Sequence, residues 1–151
     1  MAREFDGVDD FISYSHISAF DGIAAIAISC WIRPEDGGSN WSGPFDAMGA
    51  STGEGTTHGW AVQKEDADET TCFLAFRNAN ADAVQGLTGS LTLSTWRHLY
   101  IRYDGSLAGD QRLRFWVDGV QNSATNANTP ATLGTNDQVF QLAKSEGTLF
   151  W

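Results

Sequence analysis

Residues 93–119 read LSTWRHLYIRYDGSLAGDQRLRFWVDG, and the order of residue types in this stretch decides the fold. The run 96–103 is rich in aromatic and β-branched side chains, Asp104-Gly105 begins a polar turn region, and 113–117 alternates again before stopping at Asp118-Gly119. That is a β-hairpin written out in residues. Its period of two puts Leu99, Ile101 and Tyr103 with Leu113, Phe115 and Val117 on one face, which must meet a second sheet. Arg102, Arg112 and Arg114 are left for the outer face.

Working outward, short strands are expected at 3–5, 11–14, 26–33, 45–48, 59–63, 71–77, 91–93 and 139–143, with one helical turn near 17–20. Gly/Ser/Thr-rich loops separate them at 36–44 and 49–58, and a third loop, 121–136, is dominated by Asn, Thr and Ala. Such segments gather at the rims of a sandwich, where backbone freedom serves recognition. No repeat or linker divides the 151 residues, so the chain reads as one domain large enough to bury a core. The 16 glycines and the scarcity of helical periodicity point to an all-β sandwich of two antiparallel sheets. Cys30 alternates with Ile28 and Ile32, and Cys72 with Leu74 and Phe76, so both sulfurs read as small core hydrophobes. A disulfide between them is geometrically open but unsupported by spacing.

Near the start, residues 3–14 read REFDGVDDFISY. The sequence Phe5-Asp6-Gly7-Val8-Asp9-Asp10, then Thr95-Trp96-Arg97-His98 with Tyr103-Asp104-Gly105, then Trp116-Val117-Asp118-Gly119, resembles the laminin G-like members of the concanavalin A-like lectin/glucanase superfamily. In that family an FDG-x-DD start, a T-x-W-x-H strand ending in Y-D-G and a W-V-D-G strand recur in this order. Ala27 through Pro34, AISCWIRP, resembles the family's early strand with its central Trp and closing Pro. The resemblance spans nearly the whole chain and implies a jelly-roll β-sandwich over 1–151. It also implies a last acidic strand returning beside the N-terminal one. The sequence stops at Leu149-Phe150-Trp151, where that strand is expected to begin, so the strand is either truncated or supplied from elsewhere. An apolar triplet beside an open strand edge suggests packing against other protein subunits.

Composition narrows the function classes. Hydrophobic residues at 42% and charged ones at 19% are ordinary for a globular protein. Nineteen acidic against nine basic residues leave a net charge of -10, which repels phosphate backbones and argues against nucleic acid as partner, or simply serves solubility. No stretch approaches the roughly 20 apolar residues that span a bilayer, so no membrane insertion is expected. The opening MAREFDGVDD is charged and lacks the apolar core of a secretory signal, which fits either an excised module or a chain reaching its place of work without that signal. An extracellular or virion-surface location is expected.

Catalytic patterns are weak. Glycosidases need two carboxylates flanking the scissile bond, and in this superfamily they commonly project from one strand face as E-x-D-x-E or E-x-D-x-x-E. Glu65-Asp66-Ala67-Asp68-Glu69 has the wrong spacing and reads as a solvated turn. His16, His58 and His98 are isolated, without zinc spacing. There is no G-x-S-x-G elbow, and Gly53-Glu54-Gly55 lacks the context of a nucleotide site. No enzyme is expected.

Two binding readings remain. The resemblance implies a structural calcium near the N-terminal turn, and Asp6, Gly7 and Asp9, with Asp10, form an oxygen-rich cluster of the kind hard cations favour. The alternative is that Asp6 and Asp9 cap a turn through their own backbone. Sugar binding would use aromatic faces. Of six tryptophans, Trp41 and Trp60 lie in or next to Gly-rich loops and are the expected ligand contacts, with His58 in the polar loop between them; the others are expected mainly to pack. Asn40-Trp41-Ser42 matches a glycosylation acceptor. The leading expectation is a non-catalytic recognition module binding a glycan or protein surface. The alternative is a virion structural protein, a phage capsid decoration or fibre subunit that assembles with neighbouring chains.

Overall fold

In the computed structural model the expected hairpin forms the centre of a four-stranded antiparallel sheet. The structure describes residues 12–33, 44–46, 49–50, 57–64, 72–78, 81–86, 94–121, 128–135 and 139–142. Its strands are β1 (Ile12–Tyr14), β2 (Ala25–Ile32), β3 (Phe45–Asp46), β4 (Gly49–Ala50), β5 (Thr57–Lys64), β6 (Cys72–Asn78), β7 (Ala81–Gly86), β8 (Arg97–Asp104), β9 (Leu113–Val117), β10 (Val120–Gln121) and β11 (Phe140–Leu142). Two 3-10 turns, Ser18–Phe20 and Gly109–Gln111, are the helical content of the described residues. None of their helices is long and apolar enough to cross a membrane.

The smaller sheet runs β10-β9-β8-β2, and the larger runs β1-β11-β3-β5-β6-β7, with β4 also pairing β5. β3 and β4 keep the same register against β5, Asp46 opposite Ala61 and Gly49 opposite His58. Every pairing is antiparallel. The sheets bury their facing sides in one core. Leu99, Ile101, Tyr103, Leu113 and Phe115 come from the smaller sheet, Trp60 and Val62 from the larger, and Leu133 from a connecting segment. The alternation expected on 96–117 is therefore realised, with Val117, Ile26, Ile28 and Cys30 packed against the same cluster. Each fully buried aliphatic or aromatic side chain contributes about 1.5–3 kcal/mol, so this set is what holds the sandwich closed. The chain is a β-sandwich of two antiparallel sheets, as the sequence predicts.

Differences from the sequence reading have local causes. Residues 81–86, ADAVQG, carry a single β-former, Val84, yet they pair with β6 from Asn78 opposite Ala81 to Phe73 opposite Gly86. Cross-strand pairing here outweighs propensity. Cys30, by contrast, packs against the core cluster as its alternation predicts; it carries a free thiol, and burial pushes its pKa up to about 11. Arg112 does not spread on the outer face. It precedes β9, and its guanidinium turns into the protein to donate from Nε to Leu107 O at 2.9 Å and from Nη1 to Thr129 O at 2.6 Å. The expected strands at 3–5 and 91–93, and residues 143–151, lie outside the described residues.

Candidate functional site

Two of the sequence motifs prove to be structural when their contacts are traced. At the far end of β8, Tyr103 is buried and its hydroxyl donates to Pro130 O at 2.9 Å. Burial raises its pKa to about 12, so the group stays a hydroxyl donor throughout the ordinary pH range. Asp104 accepts from the Ser106 hydroxyl at 2.6 Å and from the Ser106 N–H at 3.0 Å, closing an Asx-type turn. Those two bonds hold its carboxyl below the usual range. Gly105 lets the carbonyl of Ala131 approach where a Cβ would sit. The Y-D-G triplet thus anchors the segment 128–135 across the end of the sandwich.

At the opposite end, Asp118 (φ 51°) and Gly119 (φ 79°) are both left-handed, the pair of conformations a tight two-residue hairpin between β9 and β10 requires. Asp118 accepts from the backbone N–H of His98 at 2.9 Å and from Arg97 Nη1 at 2.7 Å. The His98 bond is the larger cause, the Arg97 contact the next, of a carboxyl pKa lowered from its ordinary value. The W-V-D-G end therefore locks the hairpin to the start of β8.

Among the described residues, a further set of polar and aromatic side chains lines the outer face of the smaller sheet. The residues between the core positions project there, in layers about 7 Å apart along the strands. The first layer pairs Trp31 with His98 across β2 and β8, rings 5.3 Å apart. The second carries Ser29, Tyr100, Trp116 and Gln121 across the four strands, with Tyr100 and Trp116 rings 5.0 Å apart. In the third, Ala27, Arg102 and Arg114 stand side by side. Trp31 is 64% exposed, and Trp96, just before β8, is 50% exposed. On β2 the neighbours are small, Ala25, Ala27 and Ser29, so the rings rise beside a low floor.

One polar contact in this row invites a catalytic reading. Ser29 Oγ and His98 Nε2 are 2.9 Å apart, in hydrogen-bond contact. A nucleophile and its base need a third group to orient the imidazole. Asp118 accepts from the His98 backbone, not from its ring, so that third group is not supplied by Asp118.

The residues expected from sequence fall elsewhere. Trp60 is corrected: it is 2% exposed, with its ring 5.5 Å from Phe20 and 5.9 Å from Phe140 in the core. It follows a Gly-rich loop in sequence but sits well inside β5, whose alternation aims it between the sheets. His58 has its backbone on β5 opposite Gly49. Trp41, Asp6, Gly7 and Asp9 lie outside the described residues. Among the described residues no cluster of His, Cys, Asp or Glu could hold a metal. Trp31 stands exposed and Trp116 half-buried on the outer face of the smaller sheet, although both are among the tryptophans that the sequence assigns mainly to packing. The signal that finds them is the same alternation that finds the core, since His98, Tyr100, Arg114 and Trp116 are the residues it skips.

A laminin G-like family model, described as concanavalin A-like lectin/glucanases superfamily, matches residues 6–151. No curated protein and no solved structure matches the chain.

Proposed function

We propose, from the premise that this chain belongs to the concanavalin A-like lectin/glucanases superfamily, that it is a non-catalytic recognition module which binds carbohydrate through the outer face of β10-β9-β8-β2. The observation that carries this reading is the exposed Trp31 on the same outer face as the half-buried rings of Tyr100 and Trp116, on paired strands. An indole or phenol face matches the apolar face of a sugar ring, and strands hold such faces rigidly, so little ordering entropy is lost on binding. Ser29, His98 and Gln121 supply hydroxyl, imidazole and amide groups beside the rings for sugar hydroxyls.

Trp31→Ala tests the reading. Trp31 is largely exposed, so stability should change by no more than about 0.5 kcal/mol. Affinity for whichever oligosaccharide the native protein selects from a glycan panel should fall roughly tenfold, as loss of one stacked ring predicts. Unchanged affinity, measured by titration calorimetry, would remove this face from the binding site.

Structural calcium belongs to the same proposal. The oxygen donors of Asp6, Gly7 and Asp9 are of the chemistry that holds a hard cation. An ion bound only by the folded state stabilises it by about 2.7 kcal/mol at a hundredfold excess over Kd. Millimolar calcium is thus expected to raise the melting temperature over that in chelator, and Asp6→Asn with Asp9→Asn to abolish the rise. Superimposable melting curves of the native protein in the two conditions would dismiss the ion.

A further inference from the structure

We infer that the outer face of the smaller sheet selects anionic polysaccharide, with Arg102 and Arg114 binding carboxylate or sulfate groups one layer along the strands from the aromatic row. This rests on the carbohydrate-binding reading above and names the class of glycan. Arg102 and Arg114 are direct cross-strand partners. Like charges directly opposite on adjacent strands oppose one another and cost stability. The position beyond Arg102 on β2 is Ala27, so that strand contributes no carboxylate to the layer.

Both guanidinium groups are held by the same short turn and by neutral groups only. Arg102 Nη2 donates to Gln111 O at 3.0 Å, and Arg114 Nη1 donates to Asp110 O at 2.6 Å and to Leu113 O at 2.9 Å. Backbone carbonyls orient the heads without neutralising them. Among the described carboxylates Asp104 attracts Arg102 through space, but neither Asp104 nor Asp110 lies within ion-pair distance of either arginine. A chain of net charge -10 therefore sets two cations side by side on one face, with no carboxylate hydrogen-bonded to either among the described residues.

The spacing suits a polymer. From the Trp31 layer to the Arg102 layer is four residues along a strand, about 13 Å, which several linked sugars would span. Planar guanidinium forks match the geometry of carboxylate and sulfate, and the rings between can stack on the intervening sugar faces. A poly-acidic peptide would satisfy the arginines but would bring no apolar C–H face to the rings, so the polysaccharide is the occupant that uses both features.

The experiment measures binding of the native protein, the double variant Arg102→Gln/Arg114→Gln, and Trp31→Ala to polygalacturonate, heparin, a neutral β-glucan and poly-glutamate. Native protein should bind at least one of the two anionic polysaccharides, with affinity falling as salt rises. The double variant should lose that binding at least tenfold, while its melting temperature holds or rises because like-charge repulsion is relieved. Trp31→Ala should weaken the same complex. Equal native affinity for the neutral glucan, unchanged in the double variant, overturns the anion inference and leaves the carbohydrate reading standing. Equal binding of poly-glutamate, insensitive to Trp31→Ala, overturns both in favour of a charge-only surface, and a native protein that binds none of the four probes overturns the inference.

Discussion

Gly105→Ala is expected to destabilise the domain by roughly 3 kcal/mol or more, above the usual range for overpacking because the obstacle is backbone. A Cβ at this position would overlap the carbonyl oxygen of Ala131, come within 2.6 Å of its carbon and lie 3.1 Å from Ala24 O. Neither neighbour can yield cheaply. The Gly105 N–H donates to Ala24 O at 2.7 Å, and the segment carrying Ala131 is tied on both sides. Arg112 holds Thr129 O, Tyr103 holds Pro130 O, and the Leu133 N–H donates to Ile23 O at 3.0 Å. Moving the segment breaks those bonds and leaves buried groups unsatisfied, at about 1–3 kcal/mol each. Gly119→Ala is the comparison: nothing lies within 4 Å of its Cβ, and only its positive φ of 79° resists, at about 1–2 kcal/mol. Thermal melts of the two variants should show Gly105→Ala the lower, and a Gly105→Ala protein melting with the native one would disprove the close approach.

Phe115→Ala should lower stability by roughly 3–5 kcal/mol. Phe115 is fully buried at the middle of β9, opposite Ile101, in the cluster that also holds Trp60 and Val62 of the other sheet. Removing its ring therefore opens a cavity between two sheets, neither of which can close on it without shifting the whole pairing. At about 2–4 °C per kcal/mol for a chain of this size, the melting temperature should drop by roughly 6–20 °C. Denaturant unfolding gives the free energy directly, and a loss below about 1 kcal/mol would contradict the burial.

Much of this architecture is legible along the chain. The β8–β9 hairpin, its inward set and its closing Asp118-Gly119 turn follow from a period of two and from the one turn type those residues favour. β7 is not legible, because ADAVQG acquires its extended form only by pairing with β6. The site is divided in the same way. Arg102 and Arg114 read as outward in sequence and are outward, whereas Arg112, of the same parity, is drawn in by the carbonyls of Leu107 and Thr129. Those acceptors lie 5 and 17 residues away in sequence, and no local pattern brings them together.

The tryptophans divide what the sequence determines from what the tertiary structure decides. By itself the sequence determined the sandwich class, the face each hairpin residue takes and the glycine-dependent turns, because these depend on backbone sterics and on neighbours one or two residues away. It could not decide that Trp60 is sealed in the core while Trp31 stands open. Both lie on strands, and alternation says only which side of a sheet an indole takes. Whether that side meets another sheet or meets water depends on how the two sheets stack, and that is settled by contacts between residues far apart in the chain.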